Sequence, residues 1–196
     1  MTPAPDDNLP QQIHELFALL RDRNVPYLLV GGVALLRYID GRNTEDIDLL
    51  LSVESLSALP EITLSDQNPF FARGAFKNLR VDLLLTANPL FKLVQDKFAT
   101  AHRFHELDVR CATVEGLILL KLYALPSLYR QGNTQRIALY ETDILMLAQR
   151  YHPDMQRLLD TLNPYLEAGQ LQSLMDIVLD IRQRISRIDN AARENA

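Results

Sequence analysis

The sequence predicts an α+β fold: a mixed β-sheet with flanking helices, followed by a C-terminal helical region. Three observations predict it. A short apolar run, Tyr27 to Val30, meets a Gly-Gly pair and then a helical pattern, giving a strand, a glycine turn and a helix. Two more apolar runs, Asp46 to Leu51 and Leu79 to Leu85, have strand length and carry acids inside them. Beyond residue 112 the apolar spacing is helical and offers no strand candidate. The division therefore falls into an αβ core over 1–112 and a helical region over 113–196.

Taken in order, Asp7-Asn8-Leu9-Pro10 is a helix start, because Asp and Asn cap well and Pro suits the first turn. Ile13, Leu16, Phe17 and Leu20 then keep helical spacing, and the helix ends near Asn24. Val25-Pro26 forces an extended restart into the strand at 27–30. Gly31-Gly32 breaks that strand, and Val33 to Tyr38 reads as a helix. Asp40 to Thr44 is turn chemistry, and in the strand that follows Asp46 and Asp48 share one face, since strand side chains repeat every two residues. Val53 to Leu59 reads as a short helix and Phe70 to Ala72 as a weaker strand. After Leu79 to Leu85, a helix runs from Pro89 to Phe98 and a strand pair occupies 102–112. Helices are predicted over Thr113 to Ala124, Thr134 to Gln149 and Met155 to Ile188, with a fraying tail.

Composition bounds the function classes. Hydrophobic residues make up 47% and charged residues 23%, which suits a globular protein and not a disordered one. The net charge of -5 argues against a broad electrostatic grip on nucleic acid, although a local basic groove is compatible with it. A lone cysteine, Cys111, forms no internal disulfide and reads as a small buried hydrophobe at a strand end. The acidic, polar start is unlike a secretory signal, and the apolar runs are too short to span a bilayer, so a cytoplasmic protein without membrane partners is expected.

Asp46, Asp48 and Asp82 stand in otherwise apolar strands. A carboxylate taken from water without a partner costs several kcal/mol, so such acids call for a cation or a bonded partner. Oxygen-only ligation suits magnesium, with manganese as a substitute. Two metals roughly 3.5–4 Å apart serve in-line phosphoryl displacement. The Gly31-Gly32 turn adds a place where backbone amides approach phosphate closely.

Together these residues resemble the DNA polymerase β-type nucleotidyltransferases. The string VGGVALLRYIDGRNTEDIDLLL holds an apolar residue, Gly-Gly, a spacer of 13 residues and then Asp-apolar-Asp-apolar, and Arg80 to Leu84 matches the strand of the third acid. More narrowly, Ala34-Leu35, Arg42-x-Thr44 and Val114 to Ala124 are similar to minimal bacterial nucleotidyltransferases that include toxins of abortive-infection and toxin–antitoxin systems. The resemblance implies a nucleotidyltransferase-type fold whose helical region completes the nucleotide site. It also implies that Asp46, Asp48 and Asp82 ligate the metals, Asp82 helping to deprotonate the incoming hydroxyl. Gly31, Gly32, Arg42 and Thr44 would lie around a nucleoside triphosphate, and Lys121 would pair with it. Relatives carry a basic residue beside the acid before the final core helix, whereas here Glu141-Thr142-Asp143 lacks one, leaving Arg130 or Arg136 to reach in.

Blander readings stand beside these. Asp82 could face water on an edge strand, Lys121 could snorkel at a helix border, Arg42 could decorate its loop and Thr44 could cap a turn. His102, His105, Glu106 and Asp108 are spaced poorly for zinc and read as a solvated strand. Arg73, Lys77 and Arg80 flank the third acid, where they either steer a polynucleotide or do nothing specific. The expected function is magnesium-dependent transfer of a nucleoside monophosphate to a hydroxyl on an RNA end such as tRNA, or on a protein, by a toxin with a cognate antitoxin. The alternatives are a degenerate nucleotide-binding or partner-binding module and a small-molecule, antibiotic-modifying enzyme.

Overall fold

The computed structural model describes residues 9–41, 44, 46–104 and 106–194. Asp7, Asn8, Arg42 and His105, on which the sequence suggested a cap, a phosphate contact and a solvated strand position, lie outside the described residues. The chain folds as two compact units, Met1–Thr113 and Val114–Ala196.

The first unit is built on a seven-stranded sheet in the order β3-β4-β5-β2-β1-β7-β6. Its strands are β1 (Tyr27–Val30), β2 (Asp46–Leu51), β3 (Ile62–Gln67), β4 (Phe71–Phe76), β5 (Leu79–Leu85), β6 (Ala99–Phe104) and β7 (Leu107–Ala112). The β2–β5 and β1–β7 pairs are parallel, and the other neighbours are antiparallel. Helices α1 (Leu9–Asp22), α2 (Gly31–Leu35), α3 (Val53–Ser57) and α4 (Pro89–Lys97) connect or cover them.

Alternation sorts the two faces of the central strands. Ile47, Leu49 and Leu51 of β2 and Val81, Leu83 and Leu85 of β5 are all buried, so their face is core. The opposite face carries Asp46 and Asp48 on β2, Arg80 and Asp82 on β5, and Phe71 and Arg73 on β4. Phe91 of α4 meets Phe71 edge to face with ring centroids 5.3 Å apart, which places α4 over the far end of that face from Asp46. The start of α4 is fixed by Asn88, whose side chain accepts from the Leu90 amide, with Pro89 in the first turn.

Several boundaries differ from the sequence reading for local reasons. Helix α2 begins at Gly31 itself and lasts five residues, so the glycines are its first turn and not a turn before it. Strand β4 runs on to Phe76, and β3, polar and exposed along most of its length, carries too weak an apolar signal to be read as a strand. The 102–112 segment is the β6–β7 hairpin, which starts earlier, at Ala99.

The second unit contains α5 (Val114–Arg130), α6 (Thr134–Tyr151), α7 (Met155–Leu162), a 3-10 turn at Asn163–Tyr165 and α8 (Gln170–Glu194). Helix α5 continues through Pro126, six residues past the predicted stop at Ala124. Asn133 caps α6 by accepting from the Arg136 amide, and Asp154 caps α7 by accepting from the Arg157 amide. No helix among the described residues is long and apolar enough to cross a membrane.

Candidate active site

The β2–β5 register brings the predicted acids together. Asp48 lies opposite Asp82, and Asp46 lies opposite Arg80, all on one face. Because β5 lies inside the sheet, Asp82 is not an edge residue: its side chain is only 15% exposed, and that of Asp46 is 26% exposed. Like charges directly opposite one another on paired strands are destabilising, so this row is costly unless cations or donors compensate it.

Local donors compensate in part. The Thr44 hydroxyl donates to Asp46 Oδ1 at 2.9 Å, tying the loop to the first acid. The Gly32 amide approaches Asp48 Oδ2 at 3.4 Å. Gly31 adopts a left-handed φ of 63°, and a Cβ there would lie 1.8 Å from Asp48 Oδ2. A Cβ on Gly32 would come within 2.5 Å of Thr44 Oγ1. Both glycines are thus required by close approach, one by the second acid and the other by Thr44.

Two arginines that the sequence reading gave either to a polynucleotide or to nothing specific complete the charge pattern. Arg73 of β4 grips Asp82, donating from Nε to Oδ1 at 2.8 Å and from Nη2 to Oδ2 at 3.4 Å. Arg80 donates from Nη2 to Asp46 Oδ2 at 3.3 Å. Their position was recoverable from strand alternation once β4 and β5 were paired, because Arg73 faces Asp82 across that ladder.

The donor set fits a hard divalent cation by chemistry: carboxylates only, on one face, two of them on opposed positions. Among the described residues, however, no three His, Cys, Asp or Glu side chains are gathered closely enough to hold a metal. Magnesium commonly takes one or two carboxylates and completes its shell with water and substrate phosphates, so a two-carboxylate start is sufficient for it.

Lys121 belongs to the helical unit and is neither exposed nor snorkelling. Its ammonium sits 2.8 Å from Asp143 Oδ2, with side-chain exposures of 7% and 1%, and 4.2 Å from the centroid of the Tyr140 ring. The basic partner of Asp143 that seemed missing from its own helix is therefore supplied by α5. Arg130 instead lies 3.7 Å from Glu167. Sequence spacing within α6 could not show this, because the pair joins two helices.

Cys111 is buried in β7, as read, and burial pushes its thiol up to about 11, which makes it a poor nucleophile.

Comparison with solved structures gives the arrangement a context. The fold matches an antigenic nucleotidyltransferase-like protein from Paracoccidioides brasiliensis with a TM-score of 0.59 at 16% identity, over 95% of this chain and 94% of that one. This chain has the nucleotidyltransferase fold. The same fold is seen in the antibiotic-resistance factor ANT(2'')-Ia, at a TM-score of 0.55 and 16% identity, over 96% of this chain and 99% of that one. No protein-family model and no curated protein matches the sequence. The likeness lies in the nucleotidyltransferase fold and scarcely in the residues, so the acids at its centre must be judged by their own geometry.

Proposed function

We propose that the protein is a magnesium-dependent nucleotidyltransferase that moves a nucleoside monophosphate from a nucleoside triphosphate to a hydroxyl acceptor. The observation that carries this reading is the opposition of Asp48 and Asp82 on parallel neighbours, with Asp46 on the same face and the Gly31-Gly32 turn folded onto Asp48. Asp46 and Asp48 would hold the cation, which neutralises charge on the phosphates and favours the attacking oxygen. Asp82 would accept the proton of the acceptor hydroxyl, and Gly31, Gly32 and Thr44 would border the phosphates. The acceptor in this reading is an RNA 3′ end such as tRNA, or a protein hydroxyl, as for a toxin neutralised by an antitoxin.

Incubation with each α-labelled nucleoside triphosphate and total RNA and protein tests it. Label should enter one macromolecular fraction with the wild type, and Asp48→Asn should lower the rate by about 10³-fold or more, the scale of losing a group that acts in the transition state. Undiminished labelling by Asp48→Asn would remove the assignment.

A second acceptor class is favoured by one observation, the end-to-end fold likeness to an antibiotic-resistance factor. In that case label would pass to a small hydroxylated molecule, and expression would protect cells from it and not arrest their growth.

A further inference from the structure

Both arginines of the site sit on carboxylates that the proposed reaction needs. Arg73 uses both oxygens of Asp82, and Arg80 uses Asp46 Oδ2. Yet both guanidinium side chains are more than half exposed, at 54% and 59%, while their acids are largely covered. The two-pronged grip makes Arg73–Asp82 the firmer of the two pairs, but both guanidinium groups are open to solvent and can exchange one anion for another. A divalent cation arriving at these carboxylates meets a guanidinium already there, and like charges this close repel.

Arg73 has a second acid within reach of its strand position. Arg73 faces Asp66 of β3 on its other side, which keeps the guanidinium over the same face of the sheet when it leaves Asp82. Arginine is always charged and its planar fork suits phosphate as well as carboxylate.

We propose that Arg73 and Arg80 are exchanging counter-ions: each guanidinium leaves its aspartate for a phosphate oxygen of the substrate when a divalent cation enters beside these carboxylates. The inference rests on the nucleotidyltransferase reading above. It makes the two arginines positioning groups for the triphosphate and opponents of metal binding in its absence. A structural tether would behave otherwise, since its removal would loosen the acids and weaken metal and phosphate alike.

The probes are manganese alone, followed by electron paramagnetic resonance, and inorganic triphosphate with manganese, followed by calorimetry. Lys77→Gln is the charge control, because Lys77 is paired with Glu15 and its loss removes the same formal charge from the neighbouring turn. Arg73→Gln and Arg80→Gln should each tighten manganese binding roughly threefold to tenfold beyond Lys77→Gln, and weaken triphosphate binding about tenfold. Arg73→Lys, which keeps the charge without the fork, should fall between Arg73→Gln and wild type for triphosphate. Changes no larger than those of Lys77→Gln, or weaker binding of both probes, would overturn the exchange. If wild type binds manganese in a manner lost in Asp48→Asn while the arginine variants behave like Lys77→Gln, only this inference falls. If wild type binds neither probe, the nucleotidyltransferase reading falls with it.

Discussion

Asp48 faces Asp82 across the β2–β5 ladder with Gly31 folded against its carboxylate, so a change at either residue alters charge and space together. Asp48→Asn removes one of two opposed like charges, and its unfolding free energy in urea should hold level or rise by about 0.2–1 kcal/mol even as transfer is lost. Gly31→Ala should do the reverse. Its methyl would overlap Asp48 Oδ2 and hold a left-handed φ, so a loss of about 2–4 kcal/mol is expected in the same measurement, with metal affinity falling too. Cys111 gives a pH dependence. Its native thiol pKa of about 11 lies above the ordinary value of about 8.5, so the native state holds the proton more tightly. That stability is fully present below about pH 8.5 and is lost as pH rises toward 11; between pH 7.5 and 10.5 wild type should lose about 2 kcal/mol more than Cys111→Ala.

The elements best read from sequence were those whose signal is local: the apolar strands β1, β2 and β5, and α4 with its Pro89 start. Strand β3 escaped because an exposed strand has no apolar period and is held by its partner. The role of Lys121 escaped for a related reason, since its counter-ion lies on another helix. Removing one member of that buried pair strands the other, so Lys121→Met should cost about 3–5 kcal/mol, whereas Lys121→Met with Asp143→Leu should restore most of it. Urea unfolding of the single and double variants measures the difference. A cost for the double variant equal to the sum of the singles would show that the two charges do not stabilise each other.

Over the whole molecule, the net charge of -5 opposes a broad electrostatic hold on a polynucleotide. If the acceptor is a single-stranded RNA end held through only two phosphate contacts, the logarithm of its affinity should fall with the logarithm of salt by only about 1.4, or about 0.7 per phosphate. A slope near 5 in a filter-binding titration would require a basic surface elsewhere. The fold class was legible in the apolar runs, Asp46 and Asp48 in a D-x-D that follows a Gly-Gly pair within one short stretch, and Asp82 as the single acid of its own apolar run. The arginine pairs and the left-handed Gly31 were not, because they depend on which strands become neighbours.

The parallel pairing of β2 and β5 also bears on how such a site can be traced through divergent chains. Asp46 and Asp48 are tied to each other by covalent spacing, but Asp82 is tied to them only by ladder hydrogen bonds, across a β3–β4 hairpin that the first two acids do not need. That hairpin can lengthen, shorten or change composition while the third carboxylate keeps its address on the sheet. A pattern written along the chain loses Asp82 as soon as the hairpin drifts, whereas a pattern written across strands retains it.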